Sequence, residues 1–414
     1  MGSSEILNNT TQVLNTCIGC GSPNLAVLEA GHEHKIFLTD ADEMSVITGV
    51  SGCEACGLTF LNPRMGQETL FKYYSKQSRI PRKFIPEDSP FANLMESQIE
   101  FINSFISIAS CKNVLEIGCA EGFFLKSLAA HSLGEIEIYG VELSEKYIAQ
   151  AHALLPNAHI FETPLEQTDF GNIKFDLIVL RHVFEHLGDP TEALKIIRSI
   201  LSEDGVLYIE IPDSEDIEPS VSRFYHHEHL LYLTPAVLDR YLSTNGLQTI
   251  VGKRFTGNPV GSGFSYPVIR SLSKKGLVKL SQPIPAYART VFLNNKKRNE
   301  NYIAELLKPI LKRLYLLQGK GKKIALFGAG PHTMDLLEVL QGEKIQWAKI
   351  FDNNENKQGK MMKGISIVKP DVKGLGSVDC ILISSCEFEQ EILAQIKSLG
   401  CQKIEVMPLY GSNA

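Results

Sequence analysis

Two pairs of cysteines in the first sixty residues have the spacing of a metal centre. Cys17 and Cys20 form one CxxC pair, and Cys53 and Cys56 form a second pair after 32 intervening residues. Two such turns can present four thiolates tetrahedrally to Zn²⁺, and four sulfur ligands leave no coordination position open for a substrate. The pattern therefore predicts a structural zinc site rather than a catalytic one.

A glycine-bearing loop follows the apolar segment that begins at Asn113. It reads Glu116-Ile-Gly118-Cys-Ala-Glu-Gly122 and leads into a predicted helix. The glycines let the backbone approach a ligand in the cleft of a strand–turn–helix unit, but their spacing differs from that of the dinucleotide motif GxGxxG. Glu142, at the end of the next predicted strand, is placed to accept the ribose hydroxyls of a nucleoside ligand.

Acid–base side chains crowd into the segment from Tyr225 to Tyr232. His226, Glu228 and His229 follow Tyr225 within five residues, shortly after a predicted strand end. Deprotonation of a C–H group needs a base, and the resulting enolate oxygen needs a hydrogen-bond donor; His and Tyr suit both tasks. The same residue types also suit a His/Glu metal site, or histidines that simply pack against a sheet.

His182 and His186 follow another predicted strand, which begins at Phe175. In a parallel sheet the carboxyl ends of the strands meet at one edge, so these two histidines are expected to face the same cleft as the segment from Tyr225.

The elements that must position these residues alternate along the chain. Short apolar runs and amphipathic segments alternate between residues 113 and 252, and a second strand–turn–helix begins at Lys323. This alternation predicts an α/β fold with a mostly parallel, doubly covered sheet. We expect four parts: a zinc-binding module (1–64), a Rossmann-like core with a helical lead-in (65–252), a connecting segment and helix (253–320) and a second Rossmann-like domain (321–414).

The combination resembles the class I S-adenosylmethionine-dependent methyltransferases, whose Rossmann-like core matches about residues 110–250. The loop at Glu116, the acid Glu142, the segment from Phe175 and the later run from Leu201 to Pro212 carry the resemblance. A histidine is common in this class near the position of His182, which we count with the cofactor-binding residues. The resemblance implies a cofactor site formed by Glu116, Gly118, Gly122, Glu142, Thr163, Leu165 and His182. Ala120 departs from the pattern, because the class often has glycine there.

The order of the parts is also similar to that of the nucleotide-sugar C-methyltransferases of deoxysugar pathways. That resemblance implies an enolate mechanism at carbon, a zinc module and a C-terminal domain that helps to enclose a sugar nucleotide. It implies acceptor-site roles for His229, Glu228, His186 and Tyr74. One position departs from the pattern, because His226 stands where that family has tyrosine and Tyr225 lies one residue earlier.

The C-terminal domain carries an imperfect dinucleotide motif. Gly328-Ala-Gly330-Pro-His-Thr333 has threonine in place of the third glycine, and Asp352 follows 22 residues after Gly330. An incomplete motif of this kind is weak evidence for a redox cofactor. A substrate-binding domain and a packing domain with a vestigial site both fit the pattern.

Composition excludes several classes of protein. Hydrophobic residues make up 44% and charged residues 21% of the 414 residues, which is typical of a folded globular chain. The net charge of −6 disfavours a nucleic-acid partner, and no apolar run reaches membrane-spanning length. We therefore expect a cytoplasmic enzyme, monomeric or homodimeric, that acts on a small molecule. An O- or N-methyltransferase, a macromolecule-modifying methyltransferase and a non-catalytic scaffold are the alternatives.

Overall fold

The central alternation of apolar and amphipathic segments folds into a seven-stranded sheet, as seen in a computed structural model of the chain. The structure describes residues 4–6, 9–37, 43–76, 81–132, 136–217, 219, 225–257, 266–276, 287–385, 388–400 and 403–410. The chain divides into two compact units, Met1–Ile217 with Tyr225–Asn294, and Glu218–Phe224 with Asn295–Ala414.

The first unit contains the following strands and helices. The strands are β1 (Ser4–Ile6), β2 (Thr11–Leu14), β3 (Leu25–Phe37), β4 (Glu43–Cys53), β5 (Thr59–Leu61), β6 (Arg64–Met65), β7 (Asn113–Ile117), β8 (Glu137–Val141), β9 (His159–Phe161), β10 (Phe175–Arg181), β11 (Leu201–Pro212), β12 (Leu231–Tyr232), β13 (Leu247–Gly257) and β14 (Tyr266–Lys275). The helices are α1 (Gln67–Lys76), α2 (Pro90–Asn103), α3 (Phe123–Ala130), α4 (Glu145–Leu154), α5 (Pro190–Ile200) and α6 (Pro235–Thr244). Short 3₁₀ helices are Ile108–Ser110, Leu165–Gln167 and Phe184–His186.

The strand order of the large sheet creates a crevice at its centre. Among the described residues the order is β13-β14-β11-β10-β7-β8-β9, with β7 to β11 parallel and β13 and β14 antiparallel. From β7 the chain adds β8 and β9 on one side and then returns to add β10 and β11 on the other side, so the strand order reverses between β7 and β10. Ligands of open α/β sheets bind outside the strand ends at such a point. Apolar residues of α2 and α3 pack on one face of these strands and form its core.

The cysteine-bearing region forms a separate antiparallel sheet within the first unit. Its described strands are ordered β12-β5-β4-β3, and β1, β2 and β6 form a small neighbouring sheet. Strand β12 lies at the end of the segment from Tyr225 to Tyr232, called here the histidine-rich segment. It pairs with β5 from the cysteine-bearing region through Leu231 and Phe60. The sequence segment expected to carry acid–base chemistry is therefore fixed to the sheet that carries the cysteines.

The second unit contains a smaller sheet. The elements that follow are the long helix α7 (Tyr287–Gly319), which begins in the first unit, β15 (Ile324–Phe327), α8 (Pro331–Val339), the 3₁₀ helix Leu340–Gly342, β16 (Trp347–Phe351), β17 (Met361–Met362), β18 (Ile365–Val368), α9 (Val372–Leu375), β19 (Cys380–Ile383), α10 (Glu389–Ser398) and β20 (Glu405–Pro408). The sheet order is β17-β18-β16-β15-β19-β20, with β17 antiparallel and the others parallel. None of the helices in the described ranges combines the length and apolar composition needed to cross a membrane.

One expected boundary needs correction. The large sheet is mostly parallel, as expected, but it extends beyond the boundary expected at residue 252, because β13 and β14 pair with each other and β14 pairs with β11. In the cysteine-bearing region, β3 and β4 are long strands that pair along most of their length. The helix expected within the connecting segment spans Tyr287–Gly319.

Candidate active site

The backbone of the loop after β7 adopts conformations that let it come close to a ligand. Gly118 and Gly122 have φ values of +71° and +82°, and Ala120 adopts a left-handed φ of +47°. A Cβ on Gly118 would come within 2.4 Å of the Val183 side chain. Glycine at position 118 is therefore required both by conformation and by space.

Glu142 holds this loop in place. Its carboxylate accepts hydrogen bonds from the backbone N–H groups of Ala120, at 2.9 Å, and of Leu143 and Ser144, at 2.8 and 2.9 Å. The bond to Ala120 explains how a non-glycine residue keeps a left-handed conformation there. Burial raises the pKa of Glu142, and the three backbone donors oppose that shift. Two carboxylate oxygens offer about four lone-pair sites, so capacity for a ribose hydroxyl is left.

Glu116 and Arg181 form a buried ion pair beside the loop. The Arg181 Nε lies 3.7 Å from Glu116 Oε1, and the guanidinium lies 4.0 Å from the centre of the Phe124 ring. Burial raises the pKa of Glu116 to about 8, and Arg181 opposes that shift. Glu116 Oε2 and the Nε and Nη1 of Arg181 have no hydrogen-bond partner among the described residues. Unused buried acceptors and donors at this point fit the ammonium and carboxylate of an amino-acid ligand.

Thr163 and Leu165 lie just beyond β9, which pairs with β8, the strand that precedes Glu142. Leu165 is buried and begins a 3₁₀ helix, and the Thr163 hydroxyl pairs with that of Thr168 at 2.9 Å. The Glu142 N–H donates to Phe161 O at 3.1 Å, which ties the two strand ends together. An apolar side chain near this strand end would suit the adenine ring that the resemblance implies.

His182 belongs to a buried polar network. Its Nε2 lies 3.2 Å from Glu210 Oε1, and its Nδ1 lies 3.4 Å from Glu185 Oε1. Burial lowers the pKa of His182, but the neighbouring carboxylates of Glu185 and Glu210 raise it to about 9 overall. Arg270 donates to Glu210 at 2.6 Å, so Glu210 is shared between two cations. His182 thus lies between the carboxylates of Glu185 and Glu210.

The histidine-rich segment meets helix α1 and the 3₁₀ helix at Phe184–His186. Tyr73 donates to Glu228 Oε1 at 2.5 Å. The Tyr74 hydroxyl lies 2.9 Å from His186 Nδ1, and the same nitrogen lies 2.8 Å from the backbone oxygen of Glu228. Three separate parts of the sequence therefore meet at one polar cluster.

His226 and His229 lie side by side at the centre of this cluster, with their rings tilted by 48°. Their ring centroids are 4.0 Å apart, and the His229 ring lies 4.9 Å from that of His186. Burial lowers the pKa of His226 to about 4 and that of His229 well below its usual range. Tyr225 packs against Tyr232 and Phe292, with ring centroids 4.5 and 5.0 Å away.

The four cysteines converge on one point. Cys17 Sγ lies 3.6 Å from Cys56 Sγ, Cys20 Sγ lies 3.6 Å from Cys53 Sγ, and all four sulfurs are within 4.8 Å of one another. A tetrahedral Zn–S distance of about 2.3 Å corresponds to a sulfur–sulfur distance of about 3.8 Å, so the thiols fit a zinc ion. In each CxxC turn, the N–H group of the following glycine donates a hydrogen bond to the backbone oxygen of the first cysteine. Gly21 donates to Cys17, and Gly57 donates to Cys53.

The turn after β15 in the second unit repeats the arrangement seen at Glu142. Asp352 Oδ2 accepts the Ala329 N–H at 2.6 Å, and the Thr333 hydroxyl donates to the Gly328 carbonyl at 2.6 Å. Gly328 has a φ of +103°. Thr333, at the third position of the imperfect glycine motif, therefore closes the turn through its side chain.

The cofactor loop yields a direct prediction. We expect Gly118→Ala to weaken binding of S-adenosylmethionine about tenfold or more, because relief of the contact with Val183 must displace the loop, and about 1.4 kcal/mol suffices for tenfold. Isothermal titration calorimetry measures the effect. Gly171→Ala is the matched control, because Gly171 has a φ of +55° but no atom within 4 Å of an added Cβ. Equal affinities of the two variants would contradict the prediction.

Comparison with known families agrees with this geometry. Residues 91–251 match the family described as a methyltransferase domain, and residues 320–407 match the family described as C2185-like, N-terminal. The central region of the chain, residues 91–251, is therefore similar to a methyltransferase domain.

Curated relatives match the same region at low identity. A ubiquinone biosynthesis O-methyltransferase of Glaesserella parasuis is 29% identical over 129 residues, which cover 29% of this chain and 53% of the relative. A tRNA U34 carboxymethyltransferase of Campylobacter jejuni is 27% identical over 154 residues, which cover 34% and 51%. The chain thus spans about half the length of these relatives, whose names include both a small-molecule pathway and a tRNA. A solved S-adenosylmethionine-dependent methyltransferase from Clostridium acetobutylicum is 15% identical, with a TM-score of 0.36 and coverage of 47% of this chain and 95% of that chain.

Several residues of the site were not identified from the sequence. Arg181, Glu185 and Glu210 line or support the cleft, and Tyr73 reaches Glu228 beside the expected Tyr74. One signal was available for Arg181, because a cation at the end of a strand next to β7 faces the cofactor crevice. Glu210 carried no comparable signal, since an acid inside an apolar strand is recognised as part of a network only when its partners are known.

Proposed function

We propose that this protein transfers a methyl group from S-adenosylmethionine to a carbon atom of a small keto-deoxysugar linked to a nucleotide. One observation carries the proposal. The short segment from Arg181 to His186 contacts the cofactor loop through Val183 and the histidine cluster through His186. Methyl donor and acceptor are therefore expected to meet along this segment.

The cofactor supplies an electrophilic methyl group when it is bound. Glu142 is positioned to accept the ribose hydroxyls, and Thr163 and Leu165 are positioned beside the adenine. The unpaired polar atoms of Glu116 and Arg181 are positioned for the amino-acid end. Gly118 and Gly122 let the backbone approach the ligand without a side chain in the way.

The acceptor side provides a base and a hydrogen-bond donor. The imidazoles of His226 and His229 form the proton acceptor for a C–H group next to a carbonyl, since imidazole is the commonest general base in proteins. Tyr74 is a donor for the enolate oxygen, and Glu228, whose Oε2 lies 4.0 Å from His226 Nδ1, stabilises the protonated imidazole. Tyr225 packs behind this cluster and shapes its outer wall.

The remaining parts hold the substrate and the fold. Zinc bound by Cys17, Cys20, Cys53 and Cys56 would fix the sheet to which the histidine-rich segment is paired. The second unit, as a Rossmann-like domain, would bind a nucleotide group at the turn formed by Gly328, Gly330 and Asp352.

The test is an acceptor panel. Purified protein is incubated in D₂O with S-adenosylmethionine and dTDP-, GDP- and CDP-linked 4-keto-6-deoxy sugars. Mass spectrometry then measures a gain of about 14 Da, the mass of one CH₂, and the incorporation of deuterium next to the ketone. Base-assisted proton removal followed by methyl transfer to carbon predicts both changes. Methylation at carbon with deuterium exchange supports the proposal. Methylation without exchange indicates an oxygen or nitrogen acceptor, and methylation of tRNA in a parallel assay with no reaction in the panel overturns the small-molecule assignment.

A further inference from the structure

We propose that Glu185, His186 and His229 bind a divalent first-row metal ion at the acceptor site, separate from the four-cysteine centre. One carboxylate oxygen and two imidazole nitrogens of these residues all lie within 4.8 Å of one another. Two histidines and one carboxylate on one side of an ion form a recurrent protein metal site that leaves the other coordination positions open. The ligand set thus differs from the four cysteines in both chemistry and openness.

The carboxylate of Glu185 is buried beside His182 but accepts no hydrogen bond from the described residues. Its side chain is 2% exposed, and neither oxygen accepts a hydrogen bond from any residue that the structure describes. His182 Nδ1 is 3.4 Å from Oε1 but does not satisfy hydrogen-bond geometry. A buried carboxylate without hydrogen bonds is costly, and coordination of a metal ion removes that cost.

His186 is oriented as a metal ligand. Its Nδ1 lies 2.8 Å from the backbone oxygen of Glu228, which can only accept a hydrogen bond, so Nδ1 carries the proton. The lone pair is then on Nε2, which lies 3.9 Å from Glu185 Oε1. Histidine ligands usually donate their second ring nitrogen to a carbonyl or carboxylate in this way, because the bond fixes the tautomer and the direction of the ring.

The third ligand comes from a segment tied to the first two. Leu230 N–H donates to the backbone oxygen of Glu185 at 2.8 Å, and the His229 N–H closes a turn onto His226 O at 3.2 Å. These bonds hold the His229 ring against that of His186, with centroids 4.9 Å apart. A shift of about an ångström in the side chains would bring the three ligand atoms to the spacing that metal–ligand distances near 2.1 Å require.

The chemical role of the ion rests on the proposed function. An open position on the metal would bind the ketone oxygen of the acceptor and polarise it. The C–H bond next to the carbonyl then breaks, and its proton moves to His226, whose ring is 4.0 Å from His229. The electron pair forms the new carbon–carbon bond to the methyl group, and the pair of the broken carbon–sulfur bond remains on sulfur. When the ion is bound, His229 acts as a ligand, and the role of proton acceptor that the two imidazoles share without the ion belongs to His226 alone.

The experiment measures metal content without any acceptor. The full-length protein and its variants are dialysed against Zn²⁺, Mn²⁺, Co²⁺ or Fe²⁺ (anaerobically for iron), freed of excess ion, and analysed by inductively coupled plasma mass spectrometry. We expect the wild type to retain one metal ion more per chain than Glu185→Gln, which keeps the shape of the side chain but removes its charge. His226→Ala is the matched control, because it removes a neighbouring imidazole that is not a ligand, and it should retain the ion.

The outcomes separate this site from the proposed function. Equal metal content in the wild type and Glu185→Gln for every ion, with S-adenosylmethionine still bound, overturns the metal site. If His226→Ala loses the ion as Glu185→Gln does, the assignment of His229 as the ligand and His226 as the base is overturned. Carbon methylation at an undiminished rate after chelation of the labile ion supports the function and overturns the metal role, whereas a bound ion with no reaction across the acceptor panel leaves the site standing and removes the function.

Discussion

His229→Ala is expected to lower the turnover number by about 10²–10⁴-fold while S-adenosylmethionine binding stays within about twofold, because the ring contributes to proton transfer or to metal coordination at the acceptor and not to the cofactor loop. The His229 ring touches those of both His226 and His186, so its removal disrupts both groups. The cofactor loop is held by other bonds, from Glu142 and from the end of β8.

The measurement combines turnover on the reactive acceptor with calorimetric titration of the cofactor. His152→Ala is the control, since His152 lies on α4 with an exposed side chain next to Glu162 and has no place in the site. An unchanged rate in His229→Ala, with normal cofactor binding, would remove His229 from the mechanism. A parallel loss of cofactor binding would indicate instead that the variant is misfolded.

Cys53→Ser is expected to abolish zinc binding at the four-cysteine centre and, with it, ordered packing of the histidine-rich segment. Structural zinc sites contribute about 10–16 kcal/mol of apparent binding free energy that is coupled to folding. Cys53 ends β4, β4 pairs with β5, and β5 pairs with β12 immediately after His229. The loss should therefore extend from the metal centre to the acceptor site.

Zinc content, the melting temperature and hydrogen exchange test this prediction together. We expect one zinc fewer per chain, a lower melting temperature and faster exchange in β4, β5 and β12. Cys111→Ser is the matched control, because Cys111 is also buried but lies outside the cluster, with its thiol near Ser107 O. Full zinc content and unchanged exchange in Cys53→Ser would show that the cysteines are not a metal site.

Much of the candidate site could be predicted from patterns of residues close together in the sequence. The CxxC turns and the glycine loop are formed by residues close together in the chain, and their geometry depends on glycines such as Gly21 and Gly118 with positive φ. The structure brings the four cysteines together and places Glu142 at the loop, as expected. The catalytic and binding roles of these residues stay predictions.

Patterns that depend on distant partners were less visible. β13 and β14 were not expected as part of the large sheet, because the pairing of β14 with β11 joins residues about sixty positions apart. Tyr73 and Tyr74 are adjacent in the sequence, and the sequence does not show which polar group each hydroxyl contacts. Only the packing of α1 directs Tyr73 to the Glu228 carboxylate and Tyr74 to His186.

The sequence by itself determined the α/β class, the cluster of four cysteines, the glycine-bearing loop after β7 and the segment in which the histidines cluster. Each of these depends on residue type at short spacing, which the chain encodes directly through backbone conformation and periodicity. Only the tertiary structure decided which charges meet in the buried interior, such as Arg181 with Glu116, His182 with Glu210 and Glu185 with two histidines. The reason is physical: the strength of a buried charge interaction depends on distance and desolvation, and both are set by how the strands and helices pack.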